Sequence, residues 1–420
     1  MRARGLMGLL MGPMGPIGLI GLMGLMGLGL MGCSGDSPEQ APEPAKAETA
    51  IAFASGLEEE QAVTRAAMPL SEQAVTRTTP LSEKTQRFTV WGYKNMSCDE
   101  KNNTDPSDDD YAELQTVFPG YNVGWTSGSS ATSTTNSSGW DYVNQLSSTG
   151  VEQTIKYWDW SAKAYRFFAV TGDKGATAAA GTYVDNGVNG STGAYEITLY
   201  ANGSSEEGIA ATPYYSHLWF STGDPSIYAD RQFGKPVQLE FLKPFAKVRF
   251  KFIFEDPNLA KETTLTDKSF RPTDGRIIKT NGQVTVGYPL TGTAVTETLT
   301  ISSDAGGITE FTQDYYEEAD LVNEGGHVVS PYFDAPETPL GKEYAVLPAT
   351  VQGTYTLTVS VNGEPKTTVV PAEFMNWKVG YLYTYIFKVH VDGGVSIDVV
   401  QSAFTPWMTG NTTDHTVYNW

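Results

Sequence analysis

The feature that most constrains the fold is a long alternation of apolar and polar side chains near the middle of the chain. Residues 237–254 read VQLEFLKPFAKVRFKFIF. Before Pro244, apolar side chains stand at every second position, and the alternation resumes after it. A period of two is that of a β-strand, whose successive side chains point to opposite faces. The stretch therefore predicts strands that pack one face on a core, with these apolar residues inside: Val237, Leu239, Phe241, Val248, Phe250, Phe252 and Phe254.

The same period recurs along the rest of the chain. In Arg87–Lys94, RFTVWGYK, it predicts one face with Phe88 and Val90 and another with Trp91 and Tyr93. Further runs of this kind are AYRFFAV, AYEITLYA, TYTLTVSV and YLYTYIFKVHV, and no long amphipathic helix pattern follows residue 86. With 12% aromatic residues, this pattern predicts an all-β fold of two sandwiches in series, with a joint just before residue 235.

Three short stretches carry the residues of tight hairpin turns. In the second half of the chain, Asn-Gly occurs at 281–282 and again at 362–363, and the sequence VDGGV spans 391–395. Asn-Gly favours the two-residue turns whose twist matches that of the flanking strands. We therefore expect a hairpin at each of the three places.

The first residues have the pattern of an export signal. A basic start, MRAR, precedes an apolar run rich in Gly, Leu and Met that ends in Leu30-Met31-Gly32-Cys33. This ending resembles a lipobox, the site at which a bacterial lipoprotein is cut before a cysteine and acylated on it. Residues 1–32 would then be the signal peptide and Cys33 the lipidated residue. Cys98 would be left without a partner for an intramolecular disulfide. An ordinary secretory signal and an uncleaved anchor remain alternatives.

Residues 33–86 read as a lipidated tether with two further features. Residues 34–50 are rich in Pro, Ala and Glu, which favours an extended spacer. Ile51 and Phe53 then alternate with small residues, as in a short isolated strand. A repeat follows, EQAVTRAAMPLS and EQAVTRTTPLS, with Arg65 in the first copy and Arg77 in the second. Flexible exposed segments are preferred sites of proteolysis, although a duplicated linker without a role is the alternative.

Charge and motif content exclude several classes of function. The chain has 28 Lys and Arg against 48 Asp and Glu, a formal net charge of −20, whereas nucleic-acid and anionic membrane surfaces attract basic patches. The four histidines have no chelating spacing, and the acidic stretch 102–113 lacks the pattern of a twelve-residue calcium loop with its central glycine. We therefore predict no catalytic residue, no cofactor, no metal site and no nucleic-acid partner.

An aromatic cluster offers a second interpretation. Trp158 and Trp160 flank Asp159, a combination able to stack on sugar rings and hydrogen-bond their hydroxyls. Aromatic residues in strands more often pack in the core. A monomeric surface lipoprotein that keeps its lipid and binds glycans through Trp158, Trp160 or other exposed aromatic residues is thus the alternative function.

The order of these segments along the chain resembles a known family. The lipobox, the lone strand in ETAIAFAS and the Thr-Arg repeat precede FTVWGYK and IKYWDWSAKAYRFFAV. PVQLEFLKPFAKVRFKF and GYLYTYIFKVHV follow, then VSIDVV and FTPWMTG. Together they resemble the fimbrillin family, the subunits of the type V pili of Bacteroidota. One departure concerns the mid-chain strand, where the family pattern carries a histidine and this chain has Lys243-Pro244-Phe245.

The resemblance implies a fold, a location and a processing step. The fold would be two tandem transthyretin-like β-sandwiches, at 87–234 and 235–420. The lipid on Cys33 would hold the precursor at the outer membrane, on the cell surface. A protease would cut after Arg65 or Arg77 and remove the strand of residues 49–55, in which Ile51 and Phe53 fill a groove of the first domain.

The resemblance also implies how subunits join. A strand from the C-terminal region of the next subunit would fill the opened groove, and the candidate donor residues are Val395, Ile397, Val399, Phe404 and Trp407. Partners would be other pilus subunits, in a homopolymer or heteropolymer, and for an adhesive subunit a ligand on a host or bacterial surface. The resemblance does not distinguish stalk, tip and anchor subunits.

Overall fold

The computed structural model describes residues 49–55, 87–96, 114–125, 140–143, 152–222, 233–256, 259, 263–292, 294–312, 316–317, 343–348 and 353–404. From Glu48 onward the chain forms one compact unit. The strands of the part before residue 243 are β1 (Phe53–Ser55), β2 (Phe88–Asn95), β3 (Leu114–Trp125), β4 (Trp140–Asp141), β5 (Ala164–Thr171), β6 (Asp173–Lys174), β7 (Thr182–Val188), β8 (Ala194–Asn202), β9 (Tyr215–Ser216), β10 (Trp219–Thr222), β11 (Val237–Leu239) and β12 (Phe241–Leu242).

The remaining strands are β13 (Ala246–Phe254), β14 (Leu265–Pro272), β15 (Ile278–Pro289), β16 (Thr298–Ile301), β17 (Gly306–Ile308), β18 (Tyr316–Glu317), β19 (Tyr344–Val346), β20 (Tyr355–Val361), β21 (Glu364–Val370), β22 (Tyr381–Val389) and β23 (Val395–Phe404). The described residues include one short α-helix, α1 (Glu206–Ala211), and a 3-10 turn (Ala372–Met375). The prediction of an all-β fold is confirmed. No helix among the described residues is long and apolar enough to cross a membrane.

Sheet A, the seven-stranded sheet, is the platform for the candidate site. Its order is β12-β9-β5-β2-β3-β4, with β10 beside β5. The two faces of β2 contribute to different cores, because Phe88 and Val90 pack with the first strand while Trp91 and Tyr93 pack on sheet B. This division of the faces was predicted from the alternation in RFTVWGYK and is confirmed.

Sheet B has six strands in the order β16-β15-β8-β7-β6, with β17 beside β15. Strand β15 pairs with β8 from Asn281 to Pro289, while β11 and β12 pair with β1 and β9. Strand pairing therefore crosses the predicted joint before residue 235. The division into 87–234 and 235–420, and the transthyretin-like topology of each part, stay predictions.

The last part of the chain forms a second sandwich. Sheet C has the order β18-β13-β22-β23, with β19 beside β13, and faces sheet D, β14-β20-β21. The apolar residues that alternate along β13 lie in the core between these sheets, as predicted: Val248, Phe250, Phe252 and Phe254. Ile253 is also buried but is not part of this core. On the opposite face of β13, Lys247 pairs with Glu343 at 2.7 Å and Arg249 Nε donates to Thr384 Oγ1 at 2.9 Å.

Two of the three predicted hairpins are confirmed and one is wrong. Asn362 and Gly363, with φ of 50° and 84°, turn the chain between β20 and β21, and VDGGV turns it between β22 and β23. Asn281 and Gly282 instead lie inside β15, where pairing with β8 continues through both residues. A Cβ at Gly282 would lie 2.7 Å from Cβ of Ala305. The glycine at this position allows the backbone of β15 to lie close to Ala305, and it does not form a turn.

Lys243 holds the end of α1. The helix begins at Ser205, whose hydroxyl accepts from Gly208 N at 3.1 Å. Lys243 Nζ donates to the carbonyls of Ala210 at 3.1 Å and Thr212 at 2.7 Å, and also to that of Ile209. Lys243 is therefore buried as a donor to carbonyls that lack a partner within the helix.

Candidate strand-binding site

Residues 49–55 lie as a central strand between two parts of the chain that are distant in sequence. On one side, Ile51 N donates to Lys156 O at 2.8 Å and Trp158 N donates to Thr49 O at 2.9 Å, in an antiparallel arrangement. On the other side, β1 runs parallel to β11, and Val237 N donates to Ala52 O at 2.8 Å. We call the place occupied by residues 49–55, between 156–158 and β11, the slot.

Two apolar side chains anchor the segment in the slot. Ile51 and Phe53 are each 0% exposed, and being two positions apart they point to the same face of the strand. The Phe53 ring meets four others edge-on, at centroid distances of 5.2–6.2 Å: Phe88, Phe118, Tyr142 and Phe167. Full burial of such a side chain contributes about 1.5–3 kcal/mol. The first strand is thus part of the core of the first half of the chain.

A tyrosine and a glutamine complete the wall of the slot. Tyr142, 0% exposed, donates its hydroxyl to Ile51 O at 2.9 Å and accepts from Lys156 N at 3.2 Å. Gln153, 1% exposed, donates to Tyr142 O at 2.8 Å and Asn122 O at 2.7 Å, and its side-chain oxygen accepts from Asn122 N at 2.6 Å. Neither residue could be identified from the sequence, because nothing in WDYVNQLS marks Tyr142 and nothing in VEQTIKYW marks Gln153.

Burial determines the protonation state of Tyr142. Its pKa is raised well above the usual range, chiefly because the ionised form would be desolvated. The hydroxyl therefore keeps its proton across the physiological pH range and remains a donor.

The structure contradicts the predicted glycan contact of Trp158. This side chain is 4% exposed and belongs to the same core as Ile51 and Phe53. Its ring stacks on Phe233 at 5.4 Å and meets Tyr165 edge-on at 4.8 Å. Trp160 is half-buried, with Gly234 beneath its ring. The indole of Trp158, covered by these rings, cannot stack on a sugar, whereas Trp160 keeps part of its surface exposed.

Asp159, between the two tryptophans, has a structural partner. Its carboxylate pairs with Lys94 Nζ at 2.6 Å and accepts from the backbone and hydroxyl of Ser161. The hydrogen bond from Lys94, followed by that from Ser161, lowers the pKa of Asp159 to about 2. The carboxylate thus fixes the turn that follows the slot wall.

The candidate donor strand lies in its own sheet. Among the described strands β23 pairs with β22 alone, along its whole length, and so forms an edge of sheet C. Val395, Ile397 and Val400 are partly buried against the second core. The pairing with β22 shifts register between Ile397 and Val399, so the regular alternation predicted for Val395, Ile397 and Val399 is wrong after Ile397. Val399 and Phe404 belong to the same strand, whereas Trp407 lies outside the described residues. The structure does not bring these residues to the slot of the same chain.

Cys33, Arg65 and Arg77 also lie outside the described residues, so lipidation and cleavage stay predictions. Arg87, which precedes β2, is exposed. The described residues hold no group of three His, Cys, Asp or Glu side chains able to bind a metal ion.

Comparisons with known proteins give structural neighbours but no sequence relatives. No protein-family model matches the chain, and no curated protein matches it. A fimbrial protein from Bacteroides vulgatus is similar in structure, with 13% identity, a TM-score of 0.40, and coverage of 83% of this chain and 98% of the other.

Two further solved structures show the same range of similarity. A "putative cell adhesion protein" from Bacteroides ovatus has 15% identity and a TM-score of 0.38, covering 87% of this chain and all of the other. A fimbrial assembly protein from Parabacteroides distasonis has 10% identity and a TM-score of 0.28, covering 77% and 94%. At these identities and TM-scores, the likeness by itself does not say what this chain binds.

Proposed function

We propose that this chain is a structural or adhesive subunit of a cell-surface pilus, assembled by β-strand addition between subunits. It would reach the outer membrane as a lipoprotein on Cys33, and cleavage after Arg65 or Arg77 would release the N-terminal segment. The observation that carries the proposal is the slot. A strand that precedes two candidate cleavage sites fills the core of the unit that follows them, so cutting there removes its only covalent link to β2.

The physical balance in the slot favours exchange once that link is cut. Burial of Ile51 and Phe53 contributes about 5 kcal/mol together. The four hydrogen bonds described above, and the further ladder bonds between β1 and β11, contribute about 1 kcal/mol each. Ordering seven residues costs about 1 kcal/mol or more each. The sum is close to zero, so a freed segment of this length would be held weakly. A longer strand with more apolar anchors would replace it.

The position of the cut follows from the same geometry. Arg87 is exposed, but a protease acting there would have to bind Phe88 and the next residues in its own cleft. Phe88 is buried, and β2 is paired on both sides, with β3 and β5. We therefore place the cut upstream, at Arg65 or Arg77.

We propose that the donor strand comes from the C-terminal region, with Val395 and Ile397 as its alternating residues, Val399 beyond the register shift, and Phe404 and Trp407 as anchors. As an edge strand, β23 can leave its sheet by losing one ladder, that with β22. Backbone pairing plus burial of alternate side chains is the strand-addition mode of recognition. Because donor and acceptor are different surfaces, such a contact does not close and grows a filament.

The glycan-binding alternative loses its main support with the burial of Trp158, and we do not retain it as a separate function. The proposed role needs no cofactor and no enzymatic activity. A ligand bound by an adhesive subunit would have to use other residues.

The test is limited digestion of the protein lacking residues 1–33 with an arginine-specific protease. We expect one preferred cut after Arg65 or Arg77, identified by mass spectrometry of the new N-terminus, and a resistant core that forms a ladder on an unheated gel. The control variants are Arg65→Lys, Arg77→Lys and the double substitution. Ladders from the uncut double variant would contradict the proposal, as would trimmed protein that never assembles, alone or with partner subunits.

A further inference from the structure

One hydrogen bond of the slot passes through a side chain. In a regular antiparallel pair, Ile51 and Lys156 would exchange two direct backbone bonds. Here Ile51 N donates directly to Lys156 O at 2.8 Å. In place of the second bond, Lys156 N donates to the Tyr142 hydroxyl at 3.2 Å, and that hydroxyl donates to Ile51 O at 2.9 Å. The phenol oxygen is thus inserted into the ladder between the first strand and the wall of the slot.

The environment of Tyr142 keeps its oxygen in this position. The ring packs among Phe53, Phe118 and Tyr121 at centroid distances of 5.9, 5.2 and 6.1 Å. The backbone of Tyr142 is held by Gln153, which also binds both polar backbone atoms of Asn122. Only Ile51, Phe53 and their neighbours in residues 49–55 would leave with the first strand. The remaining contacts would stay with the unit.

The same hydroxyl has a second acceptor within reach. Its oxygen lies 3.4 Å from Lys156 O, the carbonyl that accepts from Ile51 N. If the first strand leaves, Lys156 O loses its donor and the hydroxyl loses its acceptor, Ile51 O, in one event. Leaving a buried polar group unsatisfied is costly, and these two groups can satisfy each other by a small rotation of the O–H bond.

We propose that Tyr142 is a positioning residue of the slot that serves both of its states. With a strand present, its hydroxyl bridges the Lys156 amide to the main-chain carbonyl of that strand. With the slot empty, the hydroxyl donates to the Lys156 carbonyl instead. The empty-state part rests on the proposed function, because it requires that the slot be vacated.

The bridge defines the chemistry of the partner. The slot accepts an extended polypeptide with a free N–H and a carbonyl at the Ile51 position, which excludes proline there. The partner must also carry apolar side chains at this position and two residues later, with a small residue between them, as Ala52 is here. Tyr142 forms its hydrogen bond with the backbone of the bound strand. This bond therefore fixes the register of that strand without requiring a particular side chain.

The first arm of the test uses the intact, uncut protein. Tyr142→Phe keeps the ring and removes the oxygen, and we expect exchange of the Lys156 amide hydrogen, followed by NMR, to become about tenfold faster. Tyr121→Phe is the matched control in the same ring cluster and should leave this amide unchanged. An unchanged Lys156 amide in Tyr142→Phe would overturn the proposal. This arm does not depend on processing.

The second arm uses protein trimmed at the arginine and freed of its first strand, with the synthetic peptide ETAIAFAS as the probe. We expect Tyr142→Phe to bind this peptide about tenfold more weakly than the wild type. A peptide with an ester in place of the Ile51–Ala52 amide presents a poorer carbonyl acceptor, and its loss of affinity should be smaller in Tyr142→Phe than in the wild type. Equal losses of peptide affinity in Tyr142→Phe and in the wild type would contradict the proposed bridge.

The two arms separate this proposal from the proposed function. If the Lys156 amide responds to Tyr142→Phe but no peptide binds the trimmed wild-type protein, the slot is not exchangeable. The proposed function and the empty-state role of Tyr142 would then both fail, while the bridge in the occupied state would stand.

Discussion

Truncation of Phe53 tests whether the first strand can leave its site independently of the rest of the fold. Phe53→Ala removes a ring that is fully buried among four others. In a core that cannot open locally, such a change costs about 3–5 kcal/mol. That exceeds the net free energy with which residues 49–55 are held, because the burial and hydrogen-bond gains nearly offset the ordering cost. In this variant, residues 49–55 should therefore detach from the slot, and the free energy of unfolding of the whole unit should fall by less than the full loss of about 3–5 kcal/mol.

Phe118 provides the matched control. Its ring lies 5.2 Å from that of Phe53 and is equally buried, but it belongs to β3, which is paired along β2 and cannot detach. Phe118→Ala should show the full loss of about 3–5 kcal/mol. Phe53→Ala should show a smaller loss, capped at the docking free energy of the segment.

Two measurements distinguish these outcomes. Denaturant unfolding gives the global free energy of each variant, and amide hydrogen exchange reports the Trp158 and Val237 amides, which donate to the segment. In Phe53→Ala both amides should exchange freely while those of β2 stay protected. Equal global losses in the two variants, with Trp158 and Val237 exchanging only through global unfolding, would refute the reasoning.

Three further predictions concern other parts of the fold. Lys243→Met leaves the carbonyls of Ala210 and Thr212 without this donor, and should lower the free energy of unfolding by about 2–4 kcal/mol in urea titration. Asp159→Asn should cost about 1 kcal/mol at pH 7, because the carboxylate is partly exposed. Since the folded pKa of Asp159 is about 2 against 3.8 unfolded, this difference should vanish as the pH falls from about 4 to 2. Gly363→Val should cost about 1–2 kcal/mol in thermal unfolding, because φ at this turn is 84°.

The strand pattern could be predicted from the sequence where alternation is local. In β2 and β13 each side chain goes to one of two faces, and the apolar and polar sets follow directly from the period of two. The Asn-Gly pair at 281–282 shows the limit of local signals, because nine residues of pairing between β15 and β8 outweigh the turn preference of one dipeptide. Local patterns also do not indicate which sheet a strand joins. The pairing of β15 with β8, across the predicted joint before residue 235, could therefore not be predicted.

The candidate site was only partly accessible from sequence for a similar reason. The alternation of Ile51 and Phe53 predicted a strand with one apolar face, but its neighbours lie more than 100 residues away at Lys156 and about 180 away at Val237. Tyr142 and Gln153 act through single hydrogen bonds that leave no periodic trace. Trp158 was ambiguous because an aromatic cluster looks alike in a core and on a binding surface, and burial decided between them.

A disulfide across the slot tests the central claim most directly, that the first strand is exchanged after cleavage. Ala54 and Gln238 are paired neighbours on β1 and β11, so Ala54→Cys with Gln238→Cys, in a Cys98→Ser background lacking residues 1–33, can lock the segment in place. After cleavage at the arginine, the oxidised protein should remain monomeric on an unheated gel, and the same sample should form a ladder once the disulfide is reduced. Equal laddering in the oxidised and reduced samples would contradict the account, because subunits would then be joining without vacating the slot.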